Sequence, residues 1–169
     1  MTRNLFLLRH AKSSWDEPDL ADHDRPLAKR GRKAGELLRA FFKTRDIRPD
    51  LVLVSSARRA QETFEALQFR DAPHKTLPAL YHAAPEAILD IIRAAPEKAE
   101  RVLVIGHNPG LQDFALLFCA NRGDELARRM ADSFPTGGFA QFEADRPWAL
   151  LEMGCGKLTG FVTPRELKG

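Results

Sequence analysis

The chain has 169 residues, 44% hydrophobic and 29% charged, with 26 Lys and Arg against 23 Asp and Glu. That length suits a single domain, residues 1–169, burying about 70% of its unfolded surface, and the composition excludes a disordered chain. The net charge of +3 comes from interspersed opposite charges, not from a basic block, which argues against a nucleic-acid partner.

Residues 4–8 (NLFLL) form a first apolar run, too short for a signal peptide or a membrane span and followed at once by charge. No membrane partner is expected, and the cytoplasm is the expected location. Residues 26–45 carry Leu27, Ala34, Leu37, Leu38, Phe41 and Phe42 at helical spacing, with Pro26 suited to the first turn. A buried strand follows over 49–54 (PDLVLV), then a helix from Ala57 to about Phe69 with Ala60, Phe64 and Leu67 on one face. A short extended stretch, His74 to Tyr81, precedes a helix opened by Pro85-Glu86 and running to Ala94. Residues 101–105 (RVLVI) form the third clear strand, and Pro109 introduces a helix through about Ala120. The stretches TGGFAQFEAD and WALLEMGCGKLTGFV predict two later strands joined by a turn around Arg146-Pro147.

Strands separated by helices imply an α/β fold: a mostly parallel central sheet with helices on both faces. Ligands in such folds bind outside the carboxyl ends of the strands. Here the first strand ends in Arg9-His10, the second in Ser55-Ser56-Ala57-Arg58, and the third in Gly106-His107-Asn108. A parallel arrangement brings these ends to one edge. Two arginines and two histidines gathered there repel one another unless an anion joins them. A tetrahedral phosphate or sulfate ion fits best, because guanidiniums fork onto its oxygens. A neutral histidine nitrogen is also a competent nucleophile, so the cluster suits phosphoryl transfer through a phosphohistidine. Each piece has a plainer reading: Arg58 as a solvated helix residue, His107 as a filler of its turn.

The motifs are similar to those of the histidine phosphatase superfamily, the phosphoglycerate mutase-like proteins. Arg9-His10-Ala11 resembles its Arg-His-Gly motif, SSARRAQET its Ser-x-x-x-Arg-Ala-x-x-Thr motif, and VIGHNPG the surroundings of its second histidine. The resemblance runs from residue 4 to about residue 115. It implies an α/β sandwich in which His10 becomes phosphorylated and Arg9, a second arginine and His107 hold the phosphate. Counted from Ser55, the pattern selects Arg59; forms with the arginine one position earlier select Arg58. Arg58 is favoured as the residue nearer the strand end. Asp16 and Ser56 complete the expected substrate-binding set.

The small size and the LRHAKSSW…DRPLxxRG opening look like the SixA branch, whose members are associated with removing phosphate from phosphohistidine on proteins. Two positions depart from the family pattern. The motif glycine is Ala11, and Tyr81-His82 stand where many members place a proton-donating carboxylate. Glu86, Asp16 and Asp24 are the candidate donors, each equally suited to helix-end or turn chemistry. An imidazole leaving group, of pKa about 6.5, needs far less protonation than an alcohol of about 16. The expected activity is therefore a phosphatase acting on protein phosphohistidine. A broad small-molecule phosphomonoesterase and a non-catalytic phospho-ligand binding module are the alternatives.

No cofactor is expected, and no metal, since neither an HExxH motif nor a cysteine cluster is present. Cys119 and Cys155 read as reduced thiols; His23, His74 and His82 read as surface or packing residues. Trp15 either walls the pocket or anchors its loop. The oligomeric state is left open, with a monomer as default.

Overall fold

A computed structural model describes all of residues 1–169. Six strands form one sheet: β1 (Arg3–Arg9), β2 (Leu51–Ser55), β3 (His74–Leu77), β4 (Arg101–Gly106), β5 (Phe139–Ala144) and β6 (Lys157–Val162). Their order is β3-β2-β4-β1-β5-β6. The first four run parallel, and β5 and β6 are antiparallel additions beyond β1.

Helix α1 (Lys29–Thr44) carries the chain from β1 to β2, and α2 (Arg58–Leu67) from β2 to β3. Helix α3 (Pro85–Arg93) leads into β4, which inserts between β1 and β2, and α4 (Gly110–Phe118) leaves it. Helices α5 (Glu125–Asp132) and α6 (Pro164–Leu167) complete the set.

The unbroken apolar runs follow from burial on both faces. Leu5 and Leu7 point into a core of 27 residues shared with α3 and α4. Phe6 and Leu8, one residue out of phase, point into a second core with Leu38 and Phe42 of α1 and Ala60 and Leu67 of α2. β2 and β4 divide their side chains in the same way. A strand with no solvent face has no polar alternation, so the runs end only where the chain leaves the sheet.

Two expectations need correction, and one helix goes unread. The extended stretch after His74 stops at Leu77, because Pro78 opens a single 3-10 turn through Leu80. The segment 148–162 is not one strand. Trp148–Leu150 form a 3-10 turn, fixed by the fully buried Trp148 indole donating to the Ala99 carbonyl, and pairing starts only at Lys157. Helix α5 was absent from the sequence reading. Its ELARRMAD stretch is only two turns long and buries only Ala127 and Met130, although Leu126, Ala127, Met130 and Ala131 do fall at helical spacing.

Candidate active site

β1, β4 and β2 are adjacent and parallel, so Arg9-His10, Gly106-His107 and Ser55-Ser56 emerge together at one edge. The His10 and His107 ring centroids lie 5.1 Å apart. His10 is buried, and its Nδ1 sits 2.8 Å from the Ala11 carbonyl. A carbonyl only accepts, so Nδ1 carries the proton and Nε2 is the bare nitrogen of the neutral ring. Burial, reinforced by Arg59, Arg9 and Arg25, lowers the His10 pKa to about 4, against a smaller upward pull from the Ala11 carbonyl. At neutral pH the ring is uncharged, with a free lone pair on Nε2.

His107 is held from below. Its Nε2 is 2.7 Å from the hydroxyl of the fully buried Ser55. The buried Ser55 hydroxyl, whose Oγ accepts from the Ala57 N–H, has no other acceptor for its own proton, so it donates to His107 Nε2. The ring proton then resides on Nδ1, a buried atom with no protein partner. Burial, His10 and Arg59 lower the His107 pKa to about 3.

Arg9 lies half-buried, with Nη1 donating to the Phe134 carbonyl at 3.1 Å and Nε buried without a partner. Burial and Arg59 press its pKa downward. The second arginine is Arg59. Its side chain is 5% exposed, whereas that of Arg58 is 53% exposed and pairs with Glu62 along the outer face of α2. The preference for Arg58 is therefore corrected. Arg59 enters the cluster because α2 starts at Arg58, and the next residue around the turn faces inward. Arg59 Nε, like Arg9 Nε and His107 Nδ1, is buried without a protein acceptor. Unpartnered donors beside a neutral histidine are groups whose hydrogen-bonding capacity an oxyanion would satisfy.

Asp22, which the sequence reading passed over, organises this side of the cluster. Its carboxylate accepts from Tyr81 Oη (2.6 Å), Arg59 Nη2 (3.0 Å) and Arg25 Nε (3.2 Å), and its carbonyl accepts from Arg59 Nη1 (2.7 Å). The Tyr81 hydroxyl, followed by the arginines, holds the carboxyl well below the usual carboxylate range. Burial and Asp22 in turn raise the Tyr81 pKa, and the Tyr81 ring meets His107 edge-on at 5.5 Å. Asp22 is thus a fixed anion that aligns Arg59, not a proton reservoir. The DHDRP context hid it, since acids before Pro usually signal a turn.

The remaining expected residues lie apart. Ser56 Oγ is engaged by His23 Nε2 at 2.9 Å. Asp16 is exposed, with its own backbone N–H turned to Ser14 Oγ. Asp24 is exposed beside His23, and Glu86 is exposed on the first turn of α3. None of the three carboxyls joins the histidines. Trp15 is exposed and carries the Arg25 guanidinium 3.5 Å above its ring, which anchors the loop. Ala11 has no left-handed backbone, so the family's glycine is not required there.

The fold and this cluster together define an α/β protein with two neutral histidines and unpartnered arginine donors at the carboxyl edge of its sheet. The sequence model of the histidine phosphatase superfamily (branch 1) matches residues 5–84. An uncharacterized protein of Mycobacterium tuberculosis is 37% identical over 161 residues, covering 94% of this chain and all of its own length. Among solved structures, a protein of Agrobacterium tumefaciens assigned as the phosphohistidine phosphatase SixA is 30% identical, with a TM-score of 0.81 over 96% of this chain and 98% of its own. A Nakamurella multipartitia protein with the same assignment superposes with a TM-score of 0.86 at 27% identity, covering 97% of both chains. The chain belongs to the histidine phosphatase superfamily.

Proposed function

We propose that the protein is a phosphatase that works through a phospho-His10 intermediate, with phosphohistidine on another protein as its substrate. The neutral His10 ring, with Nε2 bare among Arg9, Arg59 and His107, carries this reading. In the first step Nε2 attacks phosphorus while the bond to the leaving group breaks in line. In the second, water attacks the phosphorus, the P–Nε2 bond breaks, and inorganic phosphate leaves a neutral His10. Arg9, Arg59 and His107 Nδ1–H stabilise the charge spread over the equatorial oxygens in both steps.

The substrate class follows from what the pocket offers the leaving group. Asp22 is ionised and engaged by three donors, and Asp16, Asp24 and Glu86 stand outside the cluster. An alcohol, of pKa about 16, leaves poorly without a proton. A phosphorylated imidazole protonated on its other nitrogen leaves as neutral imidazole, with a conjugate-acid pKa of about 6.5. The similarity to proteins assigned as SixA phosphohistidine phosphatases supports the same class.

Rates on a phosphohistidine peptide and on small phosphoesters test this. The reading requires kcat/KM to favour the phosphoramidate by at least about 100-fold, the least that one missing acid is worth. Equal or higher rates on phosphoesters would instead make the chain a general phosphomonoesterase.

A further inference from the structure

The pocket uses none of the cations of a second feature beside it. A cleft of about 630 Å3 is lined by Lys12, Arg30, Lys33, Arg165 and Lys168 together with small and polar residues. The five come from three stretches: the loop after His10, helix α1, and the turn of α6 with the residue after it. All five are exposed, and none makes an ion pair. Arginines elsewhere are matched, as in Arg3–Glu97, Arg101–Asp50 and Arg129–Glu166. No carboxylate lines the cleft. Since the whole chain carries only +3, gathering five positive charges here leaves the rest of the molecule net negative. Such an arrangement focuses a positive potential on one concavity.

The cleft and the histidine pocket share a wall. Ser133, Pro135 and Thr136 line the cleft, while Phe134 between them accepts from Arg9 Nη1 and Asn108 Nδ2. The Gly137 N–H then donates to the carbonyls of Arg9 and His10. Lys12 lies two residues beyond His10.

We infer that this cleft docks an acidic segment of the phosphoprotein substrate and so selects phosphohistidines flanked by Asp and Glu. This rests on the phosphohistidine reading above. Long solvated cations suit steering and rim contact with a charged surface. A small polyanion is instead gripped by buried, forked guanidiniums. Single-stranded nucleic acid needs aromatic platforms for its bases, and no aromatic residue lines this cleft.

Two phosphohistidine peptides, one flanked by Glu and Asp and its twin by Gln and Asn, test the inference beside free phosphohistidine. The wild type is expected to prefer the acidic peptide by about tenfold in kcat/KM at low salt, the preference shrinking as salt rises. The triple variant Lys33→Glu, Arg165→Glu, Lys168→Glu is expected to lose that preference, with the free phosphohistidine rate unchanged. A wild type without preference, or a variant that keeps it, overturns the docking site.

Binding of the unphosphorylated acidic peptide, followed by fluorescence anisotropy, reads docking without turnover. If no phosphohistidine substrate is hydrolysed but the wild type alone binds this peptide, the function reading fails and the docking surface stands. Tighter binding of a single-stranded oligonucleotide of equal charge, or no binding of either probe, overturns it.

Discussion

Two neighbouring guanidiniums have opposite fates. Arg59 lies buried against Asp22 and reaches the histidines, while Arg58 pairs with Glu62 in water. Arg59→Ala should lower kcat/KM by about 100- to 1,000-fold, the effect of removing one donor to a developing oxyanion. Arg58→Ala removes only a surface pair and should change kcat/KM by less than about threefold. Steady-state kinetics on one substrate decides between them, and reversal of the order would restore Arg58 to the pocket. Asp22 acts through Arg59. Asp22→Asn should lower kcat by about tenfold as the arginine loses its alignment. KM should stay level or fall, because the pocket becomes more positive. A rise in KM at unchanged kcat would show that Asp22 contributes only to binding.

At the scale of elements, α2 is clamped to the loop after β1 by Thr63. Its hydroxyl donates to the Arg59 carbonyl and accepts from the Ala11 N–H at 3.0 Å, fully buried. Thr63→Val keeps the shape but strands that N–H, costing about 1–3 kcal/mol of stability in a denaturant titration. A loss within experimental error would mean that the clamp is dispensable. The same contacts explain the Ser-x-x-x-Arg-Ala-x-x-Thr spacing. Ser55 supports His107, Arg59 faces the pocket, Ala60 packs on the sheet, and Thr63 holds the loop. Counting back four residues from Thr63 would have selected Arg59, so the register was legible and proximity to the strand end misled. Strand positions were legible because both faces of β1, β2 and β4 are buried. Asp22 and Tyr81 were not, since their pairing spans 59 residues and depends on how the 11–25 loop folds back. Helix α5 was legible in the helical spacing of Leu126, Ala127, Met130 and Ala131, but over only eight residues that pattern is short.

For the whole molecule, two buried neutral histidines tie stability to pH. The pKa values are lowered to about 4 at His10 and about 3 at His107. Between about pH 4 and the ordinary value near 6.5, the unfolded chain therefore binds more protons than the folded one. Stability is fully present above about 6.5 and falls as pH drops through that window. Thermal melts should lose roughly 5–10 °C between pH 7 and 4.5, and added inorganic phosphate should recover part of it by favouring protonated rings. A His10→Asn, His107→Asn variant should show a flatter profile. An equal slope in that variant would place the pH sensitivity elsewhere.

The sheet, the two cores and the clamped loops serve one end at this scale: a bare Nε2 on a neutral histidine beside Arg9, Arg59 and His107, the geometry on which the proposed phosphoryl transfer rests. Rapid quenching with a 32P-labelled phosphohistidine peptide addresses that claim most directly. The account predicts an acid-labile, alkali-stable label on His10, linked through Nε2, that disappears in His10→Ala. No label on the wild type, or a label carried by His107, would contradict it.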